Sequence, residues 1–218
     1  KCVPWLLKEN GRANLKINKK KFIYLISPNK ITNKFYNNLK LVLKSGKVSF
    51  FQLRLKKYSH KNKILIGKKI KNICKEYKVK FIINDDPLLA LKLNADGCHL
   101  GQKDMNIMIA KKILIGKIIG ITCHNSVNFA KKAIKAKASY IALGAFNQSK
   151  TKKTKHSASI KILNKVKKFT KTPIVAIGGI NNINYKNLLL NKANFLAISS
   201  YIWKNKIYKP KEAIEKLK

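Results

Sequence analysis

The sequence predicts a single (β/α)8 TIM barrel. Eight short apolar runs recur along the 218 residues, amphipathic helical stretches separate them, and no glycine-rich dinucleotide loop follows the first run. Strands that alternate with helices imply a parallel sheet. Eight such units close into a barrel. The competing open, doubly wound sheet needs a glycine-rich turn after its first strand; Ser27-Pro28-Asn29 stands there instead.

The strands are expected at 22–27, 48–54, 79–84, 97–100, 118–122, 140–143, 174–177 and 195–199. All but 97–100 are short runs rich in β-branched, aromatic and leucine side chains. Pro28, Gly101, Gly144 and Gly178-Gly179 stand at strand ends, where turns begin. Between the strands, 61–77, 106–114, 127–136, 159–169 and 183–190 carry apolar residues at three- and four-residue spacing, as amphipathic helices do. Asp86 before Pro87 reads as the cap of a further short helix, and Asp96 in Ala-Asp-Gly reads as a turn residue. The barrel is assigned to 21–205, with 1–20 as an N-terminal extension and 206–218 as a helical tail.

The charge is lopsided. There are 49 Lys+Arg against 8 Asp+Glu, a formal net charge of +41. Such an excess raises nucleic acid or an anionic membrane as partner. The cations are nearly all lysine, however, and are spread along the chain, as on a solvated surface. A nucleic-acid binder would also need aromatic stacking residues on a basic face. Small phosphorylated molecules are therefore the expected partners, with no specific nucleic acid and no membrane. No apolar run reaches transmembrane length, and residues 1–20 have no apolar segment of a signal peptide. Cys2, Cys74, Cys98 and Cys123 show no zinc-like spacing and read as reduced thiols of a cytoplasmic protein.

All four aspartates, Asp85, Asp86, Asp96 and Asp104, fall within twenty residues. A chain this poor in acid has few places for a divalent cation. Asp85 follows the third strand and Asp104 follows the fourth. Neighbouring strands lie roughly 5 Å apart, so the two carboxylates can meet on one ion. Mg²⁺ takes one or two carboxylates together with waters and phosphate oxygens, which makes Asp85 and Asp104 its candidate ligands. Function in this fold sits beyond the strands' C-terminal ends. Gln52, Arg54 and Lys56 alternate onto one side there, and Lys152 adds positive charge from the loop after strand six. Thr122, Ser149 and Thr151 offer hydroxyls. His99 is either a rim histidine or a substrate contact, and His124 is a candidate acid or base. Gly178-Gly179 and Ser199-Ser200, after strands seven and eight, suggest a second anion site.

These motifs resemble the thiamine-phosphate synthase family. They are Phe51-Gln-Leu-Arg-Leu-Lys56, Phe81-Ile-Ile-Asn-Asp-Asp86, Ala95-Asp-Gly-Cys-His-Leu-Gly-Gln-Lys-Asp104, Gly120-Ile-Thr-Cys-His124, Thr151-Lys152 and Val175-Ala-Ile-Gly-Gly-Ile180. The resemblance implies a transferase that joins 4-amino-2-methyl-5-(diphosphomethyl)pyrimidine to a thiazole phosphate with release of pyrophosphate. Gln52, Arg54, Lys56 and Asn84 would then contact the pyrimidine diphosphate. Asp85 and Asp104 would bind Mg²⁺, and Thr122 would lie near the ring and diphosphate. Ser149, Thr151 and Lys152 would contact the diphosphate or the thiazole phosphate, and Gly179 and Ser200 would hold the latter. Among these, Arg54, Lys56, Thr122 and Lys152 would bear on the chemical step. The sequence departs from the family pattern at Ser149, where threonine is usual, and at Lys192 and Phe195, where glycine is frequent. The main alternative is the related thiazole tautomerase, whose acid–base histidine corresponds to His124 and whose members tend to lack the two metal aspartates.

Overall fold

A computed structural model of the chain describes residues 8–9, 12–13, 20–147 and 157–218. Eight parallel strands close into a barrel. They are β1 (Ile23–Ile26), β2 (Val48–Leu53), β3 (Lys80–Asn84), β4 (Gly97–Leu100), β5 (Ile118–His124), β6 (Tyr140–Gly144), β7 (Ile174–Ile177) and β8 (Phe195–Ile198). The seam is the pairing of β8 with β1, where Ala197 faces Tyr24. The helices between them are α1 (Asn33–Leu43), α2 (His60–Glu76), α3 (Pro87–Lys92), α4 (Ile107–Ile113), α5 (Val127–Lys135), α6 (Lys161–Lys167) and α7 (Tyr185–Leu190). Two more, α8 (Ser200–Trp203) and α9 (Pro210–Glu215), end the chain. Apart from the barrel, Lys8–Glu9 pairs antiparallel with Arg12–Ala13.

Strand alternation divides the apolar residues into two cores. The larger lies between sheet and helices and includes Ile23, Leu25, Phe51, Leu53, Phe81 and Ile83. The smaller fills the barrel itself with Tyr24, Ile26, Phe50, Ile82, Tyr140 and Phe195 among its members. Phe195, at a position where glycine is frequent in the family it resembles, packs edge-on against Phe50 at 5.1 Å. Lys192 adopts φ 74, the left-handed conformation that explains a preference for glycine there.

Helices begin where side-chain acceptors meet their free N–H groups. Ser59, Asp86, Asn106 and Ser126 cap α2, α3, α4 and α5 in this way. Asp86 accepts from Leu89 N at 2.9 Å, with Pro87 at the first position. The closing end is fixed by Trp203, whose indole donates to Ile26 O at 2.7 Å and whose ring lies 5.1 Å from Phe35. The residues just after the last strand are thereby tied to the first strand and to α1.

Asp96 does more than turn the chain. Its carboxylate accepts from Lys80 Nζ at 2.6 Å and from Phe81 N at 2.9 Å, clamping the start of β3 to the loop before β4. Losing two charge-assisted bonds at a partly covered site costs about 2–3 kcal/mol. Asp96→Ala is therefore expected to lower unfolding stability by about that amount, read from urea melts. An unchanged midpoint would show that the clamp carries no stability.

Candidate active site

The strands' C-terminal ends open into a cleft of about 650 Å³. The barrel register brings the predicted polar residues to this one mouth. Gln52, Arg54, Lys56, Asn84, Asp85, Asp104, Thr122, Gly179 and Ser200 all line it, as do His99 and His124. Ser149, Thr151 and Lys152 lie outside the described residues. Gln52 is 3% exposed, because the last inward position of β2 lies inside the barrel wall. Its amide donates to Asn84 Oδ1 at 2.9 Å across the β2–β3 pairing. Arg54 follows the strand and reaches Asn29 Oδ1 at 3.5 Å with one guanidinium nitrogen.

The acidic side of the mouth is built from turns. Asp85 has φ 65, a left-handed conformation that aspartate tolerates better than most residues. Its backbone N–H donates to His99 O at 2.8 Å. Gly101 N donates to Asp104 Oδ2 at 2.6 Å and holds that carboxyl over the end of β4. The carboxyl groups of Asp85 and Asp104 lie within hydrogen-bonding reach of each other. Lys56 Nζ stands 3.1 Å from Asp85 Oδ2. Burial works to raise the Asp85 pKa, but hydrogen bonds with Asp104, Lys56 and Asn84 outweigh it and hold the group below its ordinary value. Asp104 moves the other way, raised by burial and by its hydrogen bond with Asp85. Two carboxylates held this close repel each other. A bound cation would relieve that repulsion, so the pair fits Mg²⁺. Among the described residues no cluster of three or more His, Cys, Asp or Glu side chains exists that could hold a metal. Two carboxylates alone suit a hard ion that completes its shell with water and phosphate oxygens.

His99 is buried and its pKa is lowered to about 4, first by loss of solvation. Nδ1 lies 2.9 Å from the Tyr140 hydroxyl and Nε2 lies 2.8 Å from Thr122 Oγ1. His99 is thus held on both nitrogens inside the mouth. Tyr140 and Tyr24 behind it escaped the sequence reading, because inward-facing aromatics in apolar strands read as core. Cys74, Cys98 and Cys123 are buried and unpaired, and burial raises all three thiol pKa values, Cys123 to about 12. They are poor nucleophiles.

Opposite the carboxylates, Gly178 and Gly179 have φ 110 and φ 57 at the end of β7. Asn184 Nδ2 donates to Gly179 O at 3.0 Å and secures this turn. Ser199 Oγ donates to Ser27 O at 3.3 Å, which anchors the start of α8 beside β1.

A closed parallel barrel with acids, cations and glycine turns at its C-terminal mouth defines a (β/α)8-barrel enzyme. The family model described as thiamine monophosphate synthase matches residues 23–202, and the chain belongs to that family. It is 68% identical over 204 residues to thiamine-phosphate synthase of Pelagibacter ubique, covering 93% of this chain and 98% of that protein. It is 36% identical over 181 residues to thiamine-phosphate synthase of Picrophilus torridus, covering 83% and 88% respectively. The thiamine phosphate pyrophosphorylase structure from Pyrococcus furiosus superposes with a TM-score of 0.81 at 28% identity, over 91% of this chain and 94% of that one. The chain is accordingly a transferase of thiamine biosynthesis, and the tautomerase alternative is not favoured. No helix among the described residues is long and apolar enough to cross a membrane.

Proposed function

We propose that this transferase joins 4-amino-2-methyl-5-(diphosphomethyl)pyrimidine to a thiazole phosphate, releasing pyrophosphate and forming thiamine phosphate. The observation that carries this reading is the meeting of Asp85 and Asp104 beside Lys56, at the mouth also lined by Arg54, Gly179 and Ser200. The bond between the pyrimidine methylene carbon and the diphosphate oxygen breaks, and both electrons leave with pyrophosphate. The thiazole nitrogen then gives its lone pair to the methylene carbon. No protein nucleophile and no net proton transfer are needed. What remains for the protein is to neutralise the leaving group and align the two reactants.

Asp85 and Asp104 would hold Mg²⁺, which when bound withdraws charge from the departing diphosphate. Arg54 and Lys56 neutralise the same oxygens from the β2 side, Arg54 with a planar fork suited to phosphate. Gln52 and Asn84 are fixed by each other, so their remaining amide groups face the pyrimidine in a set orientation. Thr122 lies beside the ring and diphosphate. Gly179 and Ser200 would take the thiazole phosphate. Ser149, Thr151 and Lys152 complete the assignment from the loop after β6. Small phosphorylated molecules, and neither nucleic acid nor membrane, are the partners of this reading. The buried, unpaired thiols support a cytoplasmic setting.

The experiment is an assay of the purified chain with both precursors. Thiamine phosphate and pyrophosphate should appear in equal amounts with Mg²⁺ and should fall to background with chelator. Undiminished turnover in chelator would remove the metal from the reading, and no product with Mg²⁺ would overturn the substrate pair.

A further inference from the structure

Four side chains run in a line from the barrel interior to the cleft. The Tyr24 hydroxyl lies 2.7 Å from the Tyr140 hydroxyl. Tyr140 in turn lies 2.9 Å from His99 Nδ1, and His99 Nε2 lies 2.8 Å from Thr122 Oγ1. Tyr24 and Tyr140 are 2% and 0% exposed, whereas Thr122 borders the cleft. The path is built into the sheet. A Cβ at Gly120 would sit 1.9 Å from the Tyr140 ring and 2.4 Å from its hydroxyl, so the absent side chain there makes room for the phenol. Gly120 pairs with both His99 and Tyr140 in the strand register, so all three lie in one row around the barrel.

The direction of this chain follows from counting donors. Suppose every proton points inward, with Thr122 donating to Nε2, Nδ1–H to Tyr140, and Tyr140 to Tyr24. The Tyr24 O–H is then left deep in the barrel with no acceptor among the described residues. A doubly protonated His99 leaves the same orphan. Suppose instead that every proton points outward. Tyr24 donates to Tyr140, Tyr140 donates to Nδ1, and Nε2–H donates to Thr122. The three interior donors are then all used, the Thr122 O–H is left at the edge of the cleft, and inside the barrel only a phenol lone pair goes unmatched. An unpaired buried donor costs more than an unmatched lone pair on a paired oxygen.

We propose that Tyr140, with Tyr24 behind it, is a positioning residue that fixes His99 as its Nε2–H tautomer and aims the Thr122 hydroxyl proton into the cleft as a donor. The Thr122 oxygen is filled from behind by His99, so its own proton turns toward an acceptor atom of the bound pyrimidine diphosphate. That last clause rests on the function proposed above; the order of protons within the barrel does not.

The test separates the two. Nitrogen-15 NMR of histidine-labelled, substrate-free enzyme reads the tautomer, with the His99 signals assigned by their loss in His99→Asn. The expected result is a protonated, pyrrole-like Nε2 and an unprotonated Nδ1 shifted by an incoming hydrogen bond. In Tyr140→Phe, Nδ1 should lose the shift caused by the incoming hydrogen bond, and the Nε2–H tautomer should no longer be the single form populated. The same variant should lose about tenfold in kcat, the worth of one well-placed hydrogen bond, with KM changed much less. Tyr24→Phe should leave the tautomer in place and lose less activity than Tyr140→Phe. A protonated Nδ1 in the wild-type enzyme would overturn the proposal, even if Tyr140→Phe failed to fold. So would a Tyr140→Phe enzyme with unchanged Nδ1 shift and unchanged kcat. If the wild-type enzyme makes no thiamine phosphate, the functional reading fails while the NMR result still decides the proton order.

Discussion

Replacing either Asp85 or Asp104 with asparagine is expected to lower kcat/KM by about a hundredfold to a thousandfold, the usual effect of removing a group that stabilises developing charge. The two substitutions should have opposite effects on the stability of the metal-free enzyme. Asp104 has a folded-state pKa raised above its ordinary value. A carboxyl of that kind supports the fold below its unfolded pKa and loses that contribution as pH rises through the folded value. At neutral pH its charge works against the fold. Asp104→Asn removes the charge, and the amide oxygen can still accept from Gly101 N, so the melting temperature should rise. Asp85 has a lowered folded-state pKa. Its contribution is present above the unfolded pKa and lost as pH falls through the folded one. Asp85→Asn should therefore lower the melting temperature at neutral pH, with both differences shrinking in acid. Asparagine tolerates the left-handed backbone at this position, so the comparison reads charge rather than strain. Thermal melts in chelator at two pH values, beside a turnover assay, check all of this. Normal turnover in both variants would dismiss the pair as metal ligands.

Gly178→Ala should be among the most damaging single-methyl changes at the mouth. The new Cβ would sit 2.4 Å from Ala145 Cβ and 2.6 Å from Ala145 Cα, on a residue with φ +110. Backbone strain and overpacking each cost about 1–3 kcal/mol, so a loss of about 3 kcal/mol or more is expected. Function should suffer with it. The loop after β6 is bonded to this turn by Phe146 N to Ile177 O at 3.1 Å and Asn147 N to Gly178 O at 3.2 Å. Displacing it disturbs the side of the cleft assigned to the thiazole phosphate, so KM for that substrate should rise. Gly46→Ala is the control. It has φ +71 but open space where the methyl would go, so it should cost only about 1 kcal/mol. Equal destabilisation in urea melts would show that conformation alone, not the contact with Ala145, sets the cost at Gly178.

Much of this arrangement was legible in the sequence because barrels place function at strand ends. All eight strands were readable from short apolar runs, and their C-terminal neighbours named the residues that meet in the cleft. Asp86 was readable as a cap because Pro87 follows it. Other features needed the register. A helix, a strand and a turn separate Asp85 from Asp104 in sequence; strand order let their meeting be expected, and the β3–β4 register with the turn at Gly101 brings the carboxyls within reach of each other. Asp96 read as a turn residue because its partner, Lys80, lies on another strand. The helix Asn33–Leu43 was not singled out. Its buried Phe35, Leu39, Val42 and Leu43 have helical spacing, but asparagine and lysine between them weaken the pattern. The Tyr24–Tyr140–His99 line was hidden for the opposite reason. An aromatic side chain in an apolar strand reports burial, and the sequence does not say which buried hydroxyls meet.

The position of Trp203 has a spectroscopic use. Its indole bonds to the last residue of β1 and rests against Phe35, on the side where first and last strands meet. The chain has two tryptophans, and Trp5 lies outside the described residues. A Trp5→Phe enzyme would leave a single tryptophan, excited selectively over the tyrosines, reporting on barrel closure. Its emission should shift to the red when the seam opens, and the unfolding of every variant considered above becomes readable without a label.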